Sequence, residues 1–368
     1  MTRHCTNHSL WLGLSSQEGE VTLTKTDLAE NLLFDLPHSQ SQAPSLFVLV
    51  GNRTKAAALK ELVSVSVEKK STSTERESEI HLHLDPSTAF SDRPILIAGG
   101  DFPTHQRSSK VVPAKDCRET THAILPRLRN GIAGTALLKA SDNLYFRLLS
   151  PFTDVFCFFA VDLGGLKSIA CRISSWLEMS QQPSTLKPGT HPQIIIVLEP
   201  ASQHLELRGL EDFLRLLHEE TDKNIFAQFS RIRVVSLLPD GHVSEQARYR
   251  RLREHLMSAS DQVRLARLQS STLFSAQHFA ALLQQASSHF VGGHGAPFDF
   301  VRASRLQHPP AIDLKEHWVT FLSKIRSLEE LEGLAIPLIA SSILLDHYPP
   351  DMHREPSPDV HRLPLTTR

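Results

Sequence analysis

A phosphate-binding loop is the first chemistry to consider, because a glycine turn joins a short apolar run to a segment rich in Ala, Leu, Lys and Glu. The apolar run is 46–50, and the turn begins at Gly51. In the motif G-x-x-x-x-G-K-[ST], a second glycine, a lysine and a hydroxyl close the loop around phosphate and Mg²⁺. Counting from Gly51, those positions are Ala56, Ala57 and Ala58. The strand–turn–helix frame is present, and the groups that hold nucleotide and metal are missing.

Three residues are candidates for a vestigial nucleotide site. Gly51 keeps the turn, and Lys55 is a displaced candidate for the phosphate lysine. Asp162 ends a later apolar run, at the position where open α/β sheets bind ligands. Its carboxylate has two interpretations: it contacts a metal or a ribose, or it caps the helix that follows it. An ordinary strand–helix unit without any nucleotide history is the alternative explanation for 46–62.

Other motifs add no catalytic or metal-binding residue. Asp101 follows two glycines at a strand end, whereas a Mg²⁺-binding aspartate would precede them. The basic cluster 248–253 spreads its charges over several helix faces, so it is interpreted as a solvated helix in preference to a nucleic-acid contact. The sequence contains neither H-E-x-x-H nor G-x-S-x-G.

Composition narrows the function class further. The 368 residues are 40% hydrophobic and 21% charged, as in a globular protein, and the formal net charge is −1. That charge gives no electrostatic reason to expect nucleic acid or an anionic membrane as a partner. No apolar run approaches the roughly 18 residues of a membrane span. The 4 cysteines are widely spaced, which predicts reduced thiols in a cytoplasmic protein.

The surrounding elements predict the fold class. Five apolar runs without alternation, near residues 46, 95, 155, 194 and 232, alternate with helical segments. This order predicts an α/β fold with a doubly wound, mainly parallel sheet of P-loop NTPase type. An alternating segment, 80–84, predicts one half-buried strand. Later segments predict four helices, at 244–257, 275–290, 314–325 and 327–348.

The predicted organisation has four parts. They are an N-terminal extension with a short helix and a linker (1–43), the α/β domain (44–243), a helical region docked on it (244–348) and a Pro-rich tail (349–368).

The sequence resembles the GTPase-like region of large, uncharacterised fungal proteins that often carry a patatin-like phospholipase domain downstream. The segments that carry the resemblance are 46–51, 78–86, 93–98, 154–165, 297–305 and 348–353. Members of that family with an intact motif have G-x-x-x-x-G-K-S after the first strand, and an Ala-Asp-Cys-Glu-Gly type of sequence where this chain has 98–102. Both departures fall on groups that would contact phosphate or Mg²⁺.

The resulting expectation is a non-catalytic, cytoplasmic GTPase-like module that acts by binding a protein partner or a second copy of itself. It needs no cofactor. Two alternatives stay open. One is an NTPase that binds GTP and Mg²⁺ weakly through Gly51, Lys55 and Asp162, and the other is a truncated remnant of a patatin-like phospholipase protein.

Overall fold

The computed structural model describes residues 9–17, 20–63, 79–101, 118–124, 133–180, 186–199, 203–238, 241–293, 296–305 and 314–347. The chain divides into two compact units, residues 1–298 and 299–368. The predicted tail, 349–368, lies outside the described residues.

Nine strands of the described residues form one sheet in the first unit. The strands are β1 (Leu10–Gln17), β2 (Glu20–Thr26), β3 (Ser45–Val50), β4 (Glu79–Leu84), β5 (Ile95–Gly100), β6 (Glu119–Ala123), β7 (Val155–Phe159), β8 (Gln193–Leu198) and β9 (Arg231–Ser236). Their order across the sheet is β6-β2-β1-β4-β5-β3-β7-β8-β9. The five strands predicted from continuous apolar runs are all present and lie side by side.

The helices of the first unit separate these strands or follow them. They are α1 (Leu28–Phe34), α2 (Arg53–Val63), α3 (Ala133–Asn143, continued by a π-helical turn, Leu144–Leu149), α4 (Leu166–Met179), α5 (Gln203–Glu220), α6 (Glu245–Gln269) and α7 (Ala276–Val291). The second unit contains α8 (Phe300–Arg305), α9 (Leu314–Leu322), α10 (Leu328–Glu330) and α11 (Ile336–His347), the last two joined by a π-helical turn, Leu331–Ala335.

Strand direction corrects the prediction of a mainly parallel sheet. Strands β3, β5, β7, β8 and β9 pair in parallel, in four neighbouring pairs. The other four pairs, which join β5, β4, β1, β2 and β6, are antiparallel. The fold is α/β with a mixed sheet, because β1 and β2 extend it beyond β4 where the sequence predicted an extension and a linker.

Helices cover both faces of the parallel half. On one face, α2 and α6 pack in a single core with alternate residues of β3, β5, β7, β8 and β9. On the other face, Trp176 of α4 lies 5.4 Å from Phe156 and 5.9 Å from Phe158, measured between ring centroids. Strands buried on two sides have no polar face, which explains why their sequences do not alternate.

Helix α6 belongs to the same compact unit as the sheet, so the predicted boundary at residues 243 and 244 moves to 298 and 299. Its side chains Tyr249, Leu252, Leu256 and Ala259 are buried against the sheet. Helix α6 therefore packs on the sheet. Docking of the helical region 244–348 as a whole stays a prediction.

Arginines of α6 bind the loops at both ends of the sheet. Near its N-terminus, Arg248 pairs with Glu199, Arg251 with Glu206 at 2.9 Å and Arg253 with Asp85 at 2.5 Å. Three arginines of the cluster 248–253 thus pair with carboxylates at the ends of the sheet and in α5, which corrects the prediction of a solvated helix, although Arg250 is exposed.

The far end of α6 carries a buried ion pair. Arg267 donates to the Asp154 carboxylate at 2.7 Å and to the Thr153 carbonyl at 2.7 Å. Asp154 also accepts a hydrogen bond from Ser260. Burial lowers the pKa of Arg267, and the Asp154 carboxylate opposes that shift. These contacts fix α6 to the start of β7.

His191, beside this ion pair, should make the fold sensitive to acid. Burial, and then the Arg267 charge, lower the pKa of His191 from 6.5 to about 4. Between pH 6.5 and about pH 4, His191 is therefore protonated in the unfolded chain and neutral in the folded chain. The contribution of His191 to the free energy of unfolding should be fully present above pH 6.5. It should fall as the pH drops and level off near pH 4.

The loss in the free energy of unfolding that is due to His191 should reach about 1–2 kcal/mol at pH 5. Urea unfolding at pH 7.5 and pH 5 measures it, with His191→Gln as the reference that cannot titrate. We expect the pH-dependent loss to be smaller in the variant by that amount. Equal losses in both proteins would contradict the assignment to His191.

Candidate functional site

The loop after β3 lies at a topological switch point of the sheet. From β3 the chain continues to β5 on one side, and β7 lies on the other side. Open α/β sheets bind ligands outside the carboxyl ends of their strands at such a point. The structure brings the three predicted site residues, Gly51, Lys55 and Asp162, together there.

The Asp162 carboxylate closes this loop. One oxygen, Oδ2, accepts from the backbone N–H groups of Asn52 at 2.7 Å and of Lys55 at 3.0 Å. The other, Oδ1, accepts from the N–H of Thr54 at 3.1 Å. These donors belong to the residue before α2 and to its first turn, where the N–H groups have no intrahelical acceptor and carry the positive end of the helix dipole. Asp162 therefore acts as an anion bound at this helix end.

The structure corrects the predicted role of Asp162 as a cap of the following helix. The residue that precedes α4 is Gly165, and no side chain caps α4 there. Asp162 instead caps α2, a helix 107–110 residues earlier in the chain. A cap on the next helix would be a local contact, whereas this contact joins the ends of β7 and β3.

Gly51 accommodates the close approach of this carboxylate. Its φ is +156°, and a Cβ added at this position would lie 2.8 Å from Asp162 Oδ2 and 3.0 Å from Phe159 Cβ. The first distance is shorter than real Cβ contacts and the second is crowded, so a glycine at residue 51 lets the Asp162 carboxylate approach the backbone this closely. The sequence predicted the glycine for a turn, and the structure adds the close approach.

The Lys55 ammonium is directed into the protein. The residue is 1% exposed, and its Nζ lies 3.4 Å from the Gly100 carbonyl oxygen at the end of β5. The same carbonyl accepts from the Gly51 N–H at 3.2 Å. Lys55 thus contributes a charge beneath the loop and joins the ends of β3 and β5.

The three alanines continue α2 without adding a polar side chain. Ala58 is fully buried in the core that α2 shares with α6, and Ala57 packs against that core. Ala56 is exposed on the helix surface. None of them brings a hydroxyl or a charge to the loop, in agreement with the sequence-based interpretation.

A buried cluster that the sequence did not predict supports the end of β5. Asp142 accepts from Arg172 at 3.0 Å and from the indole N–H of Trp176 at 3.1 Å. Burial raises the pKa of Asp142, while the charge of Arg172 lowers it. Tyr145 lies 6.1 Å from Trp176 between ring centroids, and its hydroxyl approaches Gly100 so closely that a Cβ there would be 2.1 Å away.

Two further findings concern the parts of the chain that the structure describes. No group of three or more His, Cys, Asp or Glu side chains there is placed to hold a metal ion. No helix there has both the length and the apolar character that crossing a membrane requires.

The described fold and site define an α/β protein with a mixed sheet and a closed loop at its switch point. No model of a known protein family matches the chain. The comparison with curated proteins found no match either.

Among solved structures, the chain is similar to the siderophore hydrolase EstA from Aspergillus nidulans. The identity is 12%, and the alignment covers 69% of this chain and 94% of that chain. Its TM-score is 0.24, which is too low to support a statement about fold or activity.

Proposed function

We propose that this chain is a non-catalytic GTPase-like module that has lost nucleotide binding and acts through a protein partner. The observation that carries the proposal is the Asp162 carboxylate, which takes three backbone N–H groups of the loop after β3. A phosphate bound at a helix N-terminus uses the same kind of donors. In this chain the Asp162 carboxylate occupies those donors in place of a phosphate.

The energetic consequence for a nucleotide is large. A phosphate entering the loop would have to displace Asp162 and its charge-assisted hydrogen bonds, which are worth about 1.5–3 kcal/mol each. If the carboxylate stayed in place, it would repel the phosphate. Replacement of the motif lysine and hydroxyl by Ala57 and Ala58 removes the compensating contacts.

The position of the loop supports descent from a nucleotide-binding protein. Strand β3, the turn at Gly51 and helix α2 follow each other as in a P-loop, and they lie at the switch point of the parallel half. A glycine turn in an unrelated strand–helix unit would need neither a switch point nor an anion at the helix end.

Titration with fluorescent GTP and ATP, with and without Mg²⁺, tests the proposal. We expect dissociation constants in the millimolar range or weaker, because several charge-assisted contacts are missing. A GTPase with an intact motif serves as the positive control in the same assay. A Mg²⁺-dependent dissociation constant of about 10 µM or tighter would contradict the proposal and favour an NTPase.

A further inference from the structure

Four large apolar side chains are exposed around one edge of the sheet. Val161 is 58% exposed, Leu207 72%, Leu238 40% and Val243 37%. Val161 follows β7, Leu207 lies in the second turn of α5 after β8, and Leu238 follows β9. Val243 precedes α6. We call these four residues the carboxyl-edge patch.

The topology places these residues on the same edge. Strands β7, β8 and β9 are neighbours and run in parallel, so their carboxyl ends lie side by side. Neighbouring strands are about 4.8 Å apart, which separates the ends of β7 and β9 by roughly 10 Å. This distance is within the reach of one bound peptide segment.

The exposed charges around the patch are mostly positive. Four exposed cations lie in the first two turns of the helices that start at this edge, and they form no ion pair with another described residue: Arg53, Lys167, Arg208 and Arg250. Three nearby carboxylates are already engaged: Asp162 with the α2 amides, Glu199 with Arg248 and Glu206 with Arg251. Among the described residues in the first two turns of these helices, the exposed carboxylate is Glu245. The other exposed carboxylates, such as Glu211 and Glu254, lie farther along α5 and α6. The positive ends of four helix dipoles, those of α2, α4, α5 and α6, point to the same edge.

We propose that the carboxyl-edge patch binds a peptide segment of a partner protein that combines acidic and aliphatic residues. Aliphatic side chains would cover the patch, and carboxylates would reach the surrounding cations. The exposed large apolar residues at this edge are aliphatic, which disfavours a single-stranded nucleic acid, since that class of ligand stacks its bases on aromatic rings. This inference rests on the proposed function, because it specifies the partner class.

Selection of random 12-residue peptides by phage display on the intact chain tests this inference. We expect the recovered peptides to be enriched in Asp and Glu together with Leu, Ile, Val or Phe. In fluorescence anisotropy, a recovered peptide should bind the Leu238→Glu and Leu238→Ser variants at least about tenfold more weakly. Arg208→Glu should also weaken it. The matched control is Leu265→Glu, which changes a leucine of α6 that is 57% exposed and lies toward the other end of that helix.

Three results would overturn the inference. They are recovery of no peptide above background, recovery of peptides without acidic residues, and equal binding to the intact chain and the Leu238 variants. Displacement of the peptide by a labelled oligonucleotide, with tighter binding of the oligonucleotide, would assign the patch to nucleic acid and overturn it as well. The nucleotide titration is independent of these results, so failure of the inference and failure of the proposed function are distinguishable.

Discussion

Replacing Ile195 with aspartate should abolish soluble folding of the chain. Ile195 is 0% exposed, and its strand, β8, pairs on both sides, with β7 and with β9. The aspartate would bury an unpaired charge in the core between the sheet and α6, at a cost of several kcal/mol. Whole domains are stable by only about 5–15 kcal/mol. The measurement is the soluble fraction on expression, followed by circular dichroism.

Ile195→Val is the control for this prediction. It removes one methylene at the same position and should cost about 0.5–1.5 kcal/mol, so the protein should stay soluble and folded. An Ile195→Asp protein that folds with the stability of the original chain would show that β8 is not an interior strand.

Replacing Arg267 with alanine should be the second most damaging change. It would leave the Asp154 carboxylate buried at 1% side-chain exposure without its charged partner. Breaking a buried pair on one side costs about 3–5 kcal/mol. The Thr153 carbonyl would lose its donor as well. The expected result is a loss of that size in the free energy of unfolding, measured with urea at pH 7.5.

Two controls separate the buried charge from a general effect of removing an arginine. Arg208→Ala removes an exposed arginine of α5 and should change stability by less than about 0.5 kcal/mol. The double variant Arg267→Met with Asp154→Leu removes both charges and should recover much of the loss. A cost below about 1 kcal/mol for Arg267→Ala would contradict the role of this pair in holding α6.

The parallel half of the sheet could be predicted from the sequence, and the antiparallel half could not. Strands buried on both faces are continuous apolar runs, which are visible without any partner. Strand β6 is different, because four of its five residues are exposed and it is held by backbone pairing with β2. A polar segment of this kind has no periodic signal. Strand β2 does alternate at Val21 and Leu23, so it could have been found.

The end of helix α6 was also predicted incorrectly from the sequence. The sequence predicted a helix up to residue 257, whereas α6 extends to Gln269. Buried positions continue at helical spacing through Ala259 and Val263, so the signal was present. Because the shorter helix excluded Arg267, the ion pair with Asp154 was missed.

The position of the candidate site could be predicted from the sequence, but the contact of the Asp162 carboxylate with the start of α2 could not. The glycine turn and the carboxylate at a strand end identified Gly51 and Asp162. Which helix a carboxylate caps depends on how far strands lie apart in space, and β7 is the direct neighbour of β3. No local pattern around Asp162 contains that information, since the amide of Asn52 is 110 residues away.

Backbone amide NMR signals of Asn52, Thr54 and Lys55, recorded on deuterated protein, test most directly whether Asp162 occupies the anion position. We expect these signals to stay unchanged when GTP and Mg²⁺ are added to the intact chain at about 0.1 mM, well below the expected dissociation constant. The same signals should shift strongly in Asp162→Asn, where the carboxylate charge is absent. Saturable shifts of all three signals on addition of GTP and Mg²⁺ to the intact chain would contradict a closed loop.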